Sequence, residues 1–163
     1  MSWRPEIDEL HQRRLLAEVC GGPEAVARHH AHGKLTVRER IAKLVDPNSF
    51  REVGKLAGKA QYDAAGKLAG FEPAPYVMGL AQINQRPVAI GGEDYTIRAG
   101  TGFGSDRRKG GQGGFIEDLA YEYRIPLVNL IDGTGGTVNT AKRKGYTVVP
   151  GYGQDGVERS VDL

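Results

Sequence analysis

Ile125-Pro-Leu-Val-Asn-Leu-Ile-Asp-Gly-Thr-Gly-Gly-Thr137 joins an apolar run directly to a glycine-rich turn. Leu127 to Ile131 reads as an apolar strand. Gly133, Gly135 and Gly136 open backbone conformations closed to other residues, so successive N–H groups can point at one bound oxygen. The turn is therefore a candidate oxyanion hole made of main chain. Taken alone, the same glycines also suit an ordinary tight strand-to-helix turn. Asp132 is expected to fix the turn by accepting N–H bonds.

The residues upstream supply a setting for that strand. Phe115 to Tyr123 reads as a helix that presents Phe115, Leu119 and Tyr123 to a sheet. Tyr76 to Ile83 and Pro87 to Ile90 read as strands joined by the turn Asn84-Gln-Arg86, and Asp94 to Ile97 as a further short strand. Two strands, a helix and another strand predict a layered α/β fold, with the glycine turn at a strand's carboxyl end, where ligands commonly bind. Between Leu56 and Pro75 the chain is rich in Gly, Ala and Lys without periodicity, which predicts an exposed connection.

Before Pro47 the pattern is helical. Ile7, Leu10, Leu15, Leu16 and Val19 form an approximate apolar stripe that ends at Gly21-Gly22-Pro23, and Glu24 to His32 reads as a second helix stopped by Gly33. Thr36-Val-Arg-Glu39 matches a capping box, in which hydroxyl and carboxylate each satisfy the other residue's backbone N–H. The helix it begins buries Ile41, Leu44 and Val45, and Asp46-Pro-Asn-Ser49 turns the chain into a strand over Phe50 to Val53. Two parts follow: a helical segment over residues 1–46 and an α/β part over residues 47–163.

Composition narrows the class. The 163 residues suit one domain, 39% are apolar, and a net charge of +2 falls short of a dedicated nucleic-acid binder. Cys20 is the single cysteine, so it is read as a packed residue rather than a disulfide or cysteine metal site. Without a signal peptide or a membrane-length apolar run, the sequence is read as cytoplasmic, with no membrane partner. His29 and His32 share a helical face but lack a completing acidic cluster, so no metal is expected and the histidines are read as a solvated helix end. The spacing does not pair Asp94 with Asp132 as acid and base. No P-loop or dinucleotide fingerprint is present: the third glycine position after Gly100 and Gly102 holds Ser105.

Arg107-Arg-Lys109, within the glycine-rich stretch from Gly100 to Gly114, is a second candidate site. Arg chelates phosphate oxygens in two-pronged fashion and Lys supplies a point charge, while glycines admit close backbone approach. The same residues also read as a solvated loop. A nucleic-acid-binding module built on loop 107–114 is an alternative of another class, weakened because only Phe103 and Phe115 are nearby for stacking.

Several of these segments together carry a family resemblance. Gly33-Lys-Leu-Thr-Val-Arg-Glu-Arg-Ile-Ala-Lys-Leu-Val-Asp-Pro-Asn-Ser-Phe50 resembles the N-terminal signature of biotin-dependent acyl-CoA carboxylase carboxyltransferase (beta) subunits. Asp94-Tyr-Thr-Ile-Arg-Ala-Gly-Thr101, a helix, Arg124-Ile-Pro-Leu-Val and Asp132-Gly-Thr-Gly-Gly136 follow in the order of that family. Leu56 to Pro75 matches it poorly, and Arg107 to Gly114 is longer and richer in glycine than the family pattern.

The resemblance implies a crotonase-like (ClpP/crotonase) α/β fold of ββα units, incomplete here and preceded by N-terminal helices. It makes residues 47–163 part of an acyl-CoA-binding domain. It implies a ligase or transferase reaction moving a carboxyl group from carboxybiotin, held on a separate carrier protein or domain, to the α carbon of an acyl-CoA. By resemblance, Gly135, Gly136 and Thr137 hold the enolate oxygen, and Arg107, Arg108 and Lys109 meet the CoA phosphates. Thr137 stands where the family often has alanine. The implied partners are acyl-CoA, a biotin carboxyl carrier or biotin carboxylase subunit, and further copies in a homo-oligomer, with the N-terminal helices as assembly elements. Family members are much longer, so the expectation is a fragment or truncated product that is inactive alone.

Overall fold

The computed structural model describes residues 3–100 and 112–132. Three helices come first: α1 (Arg4–Glu18), α2 (Pro23–Ala31) and α3 (Val37–Leu44). Their boundaries follow local chemistry. Pro23 starts α2 at a position where its missing N–H costs nothing, and Gly33, at φ +72°, leaves the helix in a left-handed conformation that favours glycine. Thr36 and Glu39 close the capping box at α3: the Glu39 N–H donates to Thr36 Oγ1 at 3.3 Å, and the Thr36 N–H donates to Glu39 Oε2 at 2.7 Å.

The strands β1 (Arg51–Val53), β4 (Tyr76–Ile83), β5 (Arg86–Glu93) and β6 (Leu127–Leu130) form a sheet in the order β1-β4-β5-β6. The β4–β5 turn has two residues, Asn84 and Gln85, both at positive φ, which suits the right-handed twist of a hairpin. Asp46 braces it from outside, because its carboxylate accepts the N–H groups of Asn84 at 2.9 Å and Gln85 at 2.7 Å. From β5 the chain crosses through α4 (Gln112–Tyr123) to β6, which pairs parallel to β5, as a helical crossover permits. β4, β5 and α4 thus make one ββα unit.

Alternation along the strands divides the apolar residues between two faces. Val77, Ala81, Val88 and Ile90 pack with Val37 and Ile41 of α3 on one side. Tyr76, Met78 and Ala89 pack with Ile116 and Ala120 of α4 on the other. Gly91 is small for a reason: a Cβ there would occupy the place of the Tyr76 ring and hydroxyl, and that hydroxyl passes over β5 to donate to Asn129 Oδ1 on β6 at 2.9 Å. The face of α4 differs from the sequence expectation. Ile116 and Ala120 are buried and Leu119 half-buried, whereas Phe115 and Tyr123 are about half exposed.

Two further expectations are corrected. Residues 56–75 are an antiparallel hairpin, β2 (Gly58–Tyr62) with β3 (Leu68–Pro73), and α1 packs on β3. Its turn is held by Asp63, whose Oδ1 accepts the N–H groups of Ala65 and Lys67, both at 2.9 Å. Asp94 to Ile97 is a turn rather than a strand. Asp94 is buried and its carboxylate accepts the Thr96 N–H at 3.0 Å and the Thr96 hydroxyl at 2.5 Å, which bends the chain out of extended geometry. The helix α1 buries only Ala17 fully, so the stripe through Ile7, Leu10, Leu15 and Val19 is exposed to a large extent.

Candidate functional site

The carboxyl ends of the parallel strands β5 and β6 lie side by side. Glu93 ends β5, and its carboxylate accepts the backbone N–H of Asp132 at 3.0 Å, just past β6. The turn that Asp132 is expected to fix, from Gly133 onward, lies outside the described residues. The Asp132 carboxylate faces nitrogen groups of the N-terminal segment: Lys34 Nζ at 3.1 Å, His29 Nε2 at 3.7 Å and Arg40 at 3.8 Å. Asp94 sits elsewhere, bonded to Thr96, so acid–base pairing of the two aspartates is not formed.

His29 is not a solvated residue. It is buried, its ring stacks on Tyr95 at a centroid separation of 5.6 Å, and its Nε2 lies 3.1 Å from the Leu35 carbonyl, which assigns the proton to that nitrogen. Lys34 rests over the same tyrosine ring at 4.7 Å. Nothing local in the sequence signals this packing, because Tyr95 lies far along the chain from α2. Among the described residues no group of three or more His, Cys, Asp or Glu is placed to hold a metal ion, and no helix is long and apolar enough to cross a membrane.

Beyond β5 the chain forms one wall of a cleft of about 430 Å³ whose lining includes Arg28, His32, Lys34, Tyr95, Arg98 and Ala99. Among the described residues no carboxylate lines it. The wall is conformationally costly: Arg98, Ala99 and Gly100 are consecutive left-handed residues at φ +48°, +54° and +73°. A non-glycine residue so placed costs on the order of 1 kcal/mol or more, and such positions concentrate around ligand sites. Thr96 ties the loop to the helices, since its hydroxyl accepts the Gly21 N–H at 2.8 Å. Gly21 must be glycine there, because a Cβ would collide with the Thr96 carbonyl.

A half-buried ion pair joins α3 to β1. Arg38 forms a two-pronged pair with Glu52, at 2.9 and 2.8 Å, and donates to the Ala17 carbonyl at 3.0 Å. Cys20 is packed beside Asp94 and Arg38, and burial, then the Asp94 charge, push its thiol up to about 12. It is an inert residue at neutral pH. At the start of α3, the His30 ring and the Thr36 N–H hold the Glu39 carboxyl at about 2. Both groups fix the helices that supply Lys34 and Arg40.

The residues assigned from sequence to the oxyanion (Gly135, Gly136, Thr137) and to phosphate (Arg107, Arg108, Lys109) lie outside the described residues. The structure nevertheless places Asp132, three residues before Gly135, at the carboxyl end of the sheet. The cleft residues Arg28, Lys34 and Arg98 were not singled out by sequence. They come from three separate segments, and only the basic last turn of α2 gave any signal.

Comparison with known proteins bears on the family and the fold. Residues 28–72 match the family model for the carboxyl transferase domain. The match covers the capping box and extends over most of the hairpin that was read as a poor fit to the family. The chain is 33% identical over 138 residues to a probable biotin-dependent acyl-coenzyme A carboxylase beta2 subunit of Mycobacterium tuberculosis, covering 84% of this chain and 24% of that protein. It is 28% identical over 149 residues to the methylmalonyl-CoA decarboxylase subunit alpha of Veillonella parvula, covering 91% of this chain and 28% of the relative. A crystal structure of the transcarboxylase 12S hexamer with methylmalonyl-coenzyme A and methylmalonic acid bound superposes with a TM-score of 0.66 at 27% identity, covering 83% of this chain and 26% of that one. The chain thus spans about a quarter of the length of these relatives, and it belongs to the carboxyl transferase family with a crotonase-like α/β fold.

Proposed function

We propose that this chain provides part of an acyl-CoA-binding carboxyltransferase site, with residues 47–163 as its α/β portion. The observation that carries the reading is continuous similarity over 138 residues to an acyl-CoA carboxylase beta subunit. The reaction creates an enolate beside a thioester, so the catalyst must stabilise negative charge on the carbonyl oxygen as it develops. Backbone amides at Gly135, Gly136 and Thr137 suit this because they need no reorientation, and losing one such donor typically costs about 3 kcal/mol of transition-state stabilisation. Arg107, Arg108 and Lys109 are assigned to the CoA phosphates.

Biotin, when bound on its carrier, supplies the carboxyl group and takes up the α proton; no residue of this chain is assigned to hold it. The chain's own part is to bind the acyl-CoA and hold the enolate oxygen. The partners are a biotin carrier or biotin carboxylase subunit and further copies of the carboxyltransferase subunit. The matched region is about a quarter of each relative, so the 163 residues by themselves are expected to bind acyl-CoA without turning it over.

Calorimetric titration with propionyl-CoA, beside an assay for label transfer from carboxybiotin, tests this. Saturable binding that weakens when Arg107, Arg108 and Lys109 are neutralised, with no transfer, is the expected outcome. Unchanged affinity in that triple variant would remove those residues from the site. Detectable carboxylation by the purified chain would overturn the inactivity.

A further inference from the structure

We propose that the cleft between the end of α2 and the Tyr95–Ala99 wall is a binding site for a phosphate-bearing ligand, with Arg28 as its principal anchor. Its identification with the phosphorylated end of CoA rests on the acyl-CoA reading above; the phosphate chemistry does not.

The charges support it. Arg28, Lys34 and Arg98 line the cleft, and Arg40 stands behind Lys34 at the same carboxylate. Among the described residues, Asp132 pairs with Lys34 and Arg40, and Glu72 with Arg98 at 2.7 Å. Arg28 has no ion pair among the described residues, so the cleft keeps a positive excess concentrated on its α2 side. A phosphate dianion would satisfy that excess, and a guanidinium meets phosphate oxygens two at a time.

Hydrogen bonds partly offset the negative end of the α2 dipole: His32 Nδ1 bonds the Arg28 carbonyl at 2.7 Å, the Lys34 and His32 N–H groups bond that of His29, and Gly33 bonds that of His30 at 2.8 Å. One wall of the cleft is the segment that follows β5, and its volume of about 430 Å³ falls within the roughly 300–1,000 Å³ common for small-molecule sites. Both ring faces of Tyr95 need not take part, since His29 stacks on the ring and Lys34 lies over it; the ring holds the ammonium in place.

The test is equilibrium titration of the full chain with inorganic phosphate, 3′,5′-ADP, CoA and adenosine. The phosphorylated nucleotide is expected to bind and adenosine not to, with Kd rising steeply with salt. Arg28→Gln should weaken 3′,5′-ADP about tenfold, and Arg28→Lys should recover part of the loss. Arg28 is exposed and has no acidic partner among the described residues, so Arg28→Gln is expected to fold; an unchanged melting temperature serves as the control. Equal affinity for adenosine, or an unaltered Kd in both Arg28→Gln and Arg98→Gln, would overturn the site. Binding of 3′,5′-ADP with exclusion of CoA would uphold the cleft while removing the acyl-CoA reading.

Discussion

The sheet with its two flanking helices and the cleft beside α2 are held by opposite means. In the first, Val37, Ile41, Val77, Val88 and Ile90 on one face, and Met78, Ala89, Ile116 and Ala120 on the other, exclude water with no charge to satisfy. In the second, single side chains bridge distant segments: Lys34 to Asp132, Arg98 to Glu72, Thr96 to Gly21. Burial of apolar area is non-directional and fixes the frame strongly. Half-exposed ion pairs contribute little stability, yet they set where charge is presented. Stability and ligand chemistry are therefore expected to separate by region.

The largest effect should come from the frame. Ile90 is fully buried between β4 and α3, so Ile90→Ala is expected to cost about 2–5 kcal/mol of unfolding free energy in urea titration. A loss below 1 kcal/mol would mean that this core does not control folding. A smaller effect is expected at the boundary of the two regions, where α3 begins. Thr36→Ala removes the capping acceptor and should cost about 1 kcal/mol. Glu39 adds a pH signature at the same place. Its folded value, about 2, lies below its ordinary 4.5, so its contribution is complete above about pH 4.5 and is lost as pH falls towards 2. Acid titration of Glu39→Gln against the parent should show a shallower loss in that window; identical curves would break the assignment. The smallest effect on stability belongs to the cleft, where Arg28→Gln should stay within about 0.5 kcal/mol while altering phosphate binding. A large destabilisation there would erase the contrast.

The same division decides what could be read from sequence. The capping box, the glycine stop at Gly33 and the β4–β5 hairpin are local: residues within a few positions of one another carry the whole geometry. The β2–β3 hairpin was missed because β2 is largely exposed and neither strand alternates, although Asp63-Ala-Ala-Gly66, with Gly66 at φ +75°, was a usable turn signal. Tyr95 and Thr96 favour strands by composition, but the buried Asp94 carboxylate captures Thr96 and turns the chain. The face of α4 was ambiguous because stripes through Phe115 and through Ile116 both include Leu119. His29, Lys34 and Asp132 meet only in three dimensions, and no spacing announces them. The glycine turn was read by residue type, because glycine-rich backbone can offer converging amides, and it lies outside the described residues.

That turn carries the account's central claim, and amide NMR of the uniformly ¹⁵N-labelled 17.6 kDa chain tests it most directly. Propionyl-CoA should move the Gly135 and Gly136 amide protons downfield, while 3′,5′-ADP, which has no thioester, should leave them in place and perturb signals around Arg28. Equal responses of Gly135 and Gly136 to the two ligands, or no response to propionyl-CoA at saturation, would contradict an oxyanion role for these amides.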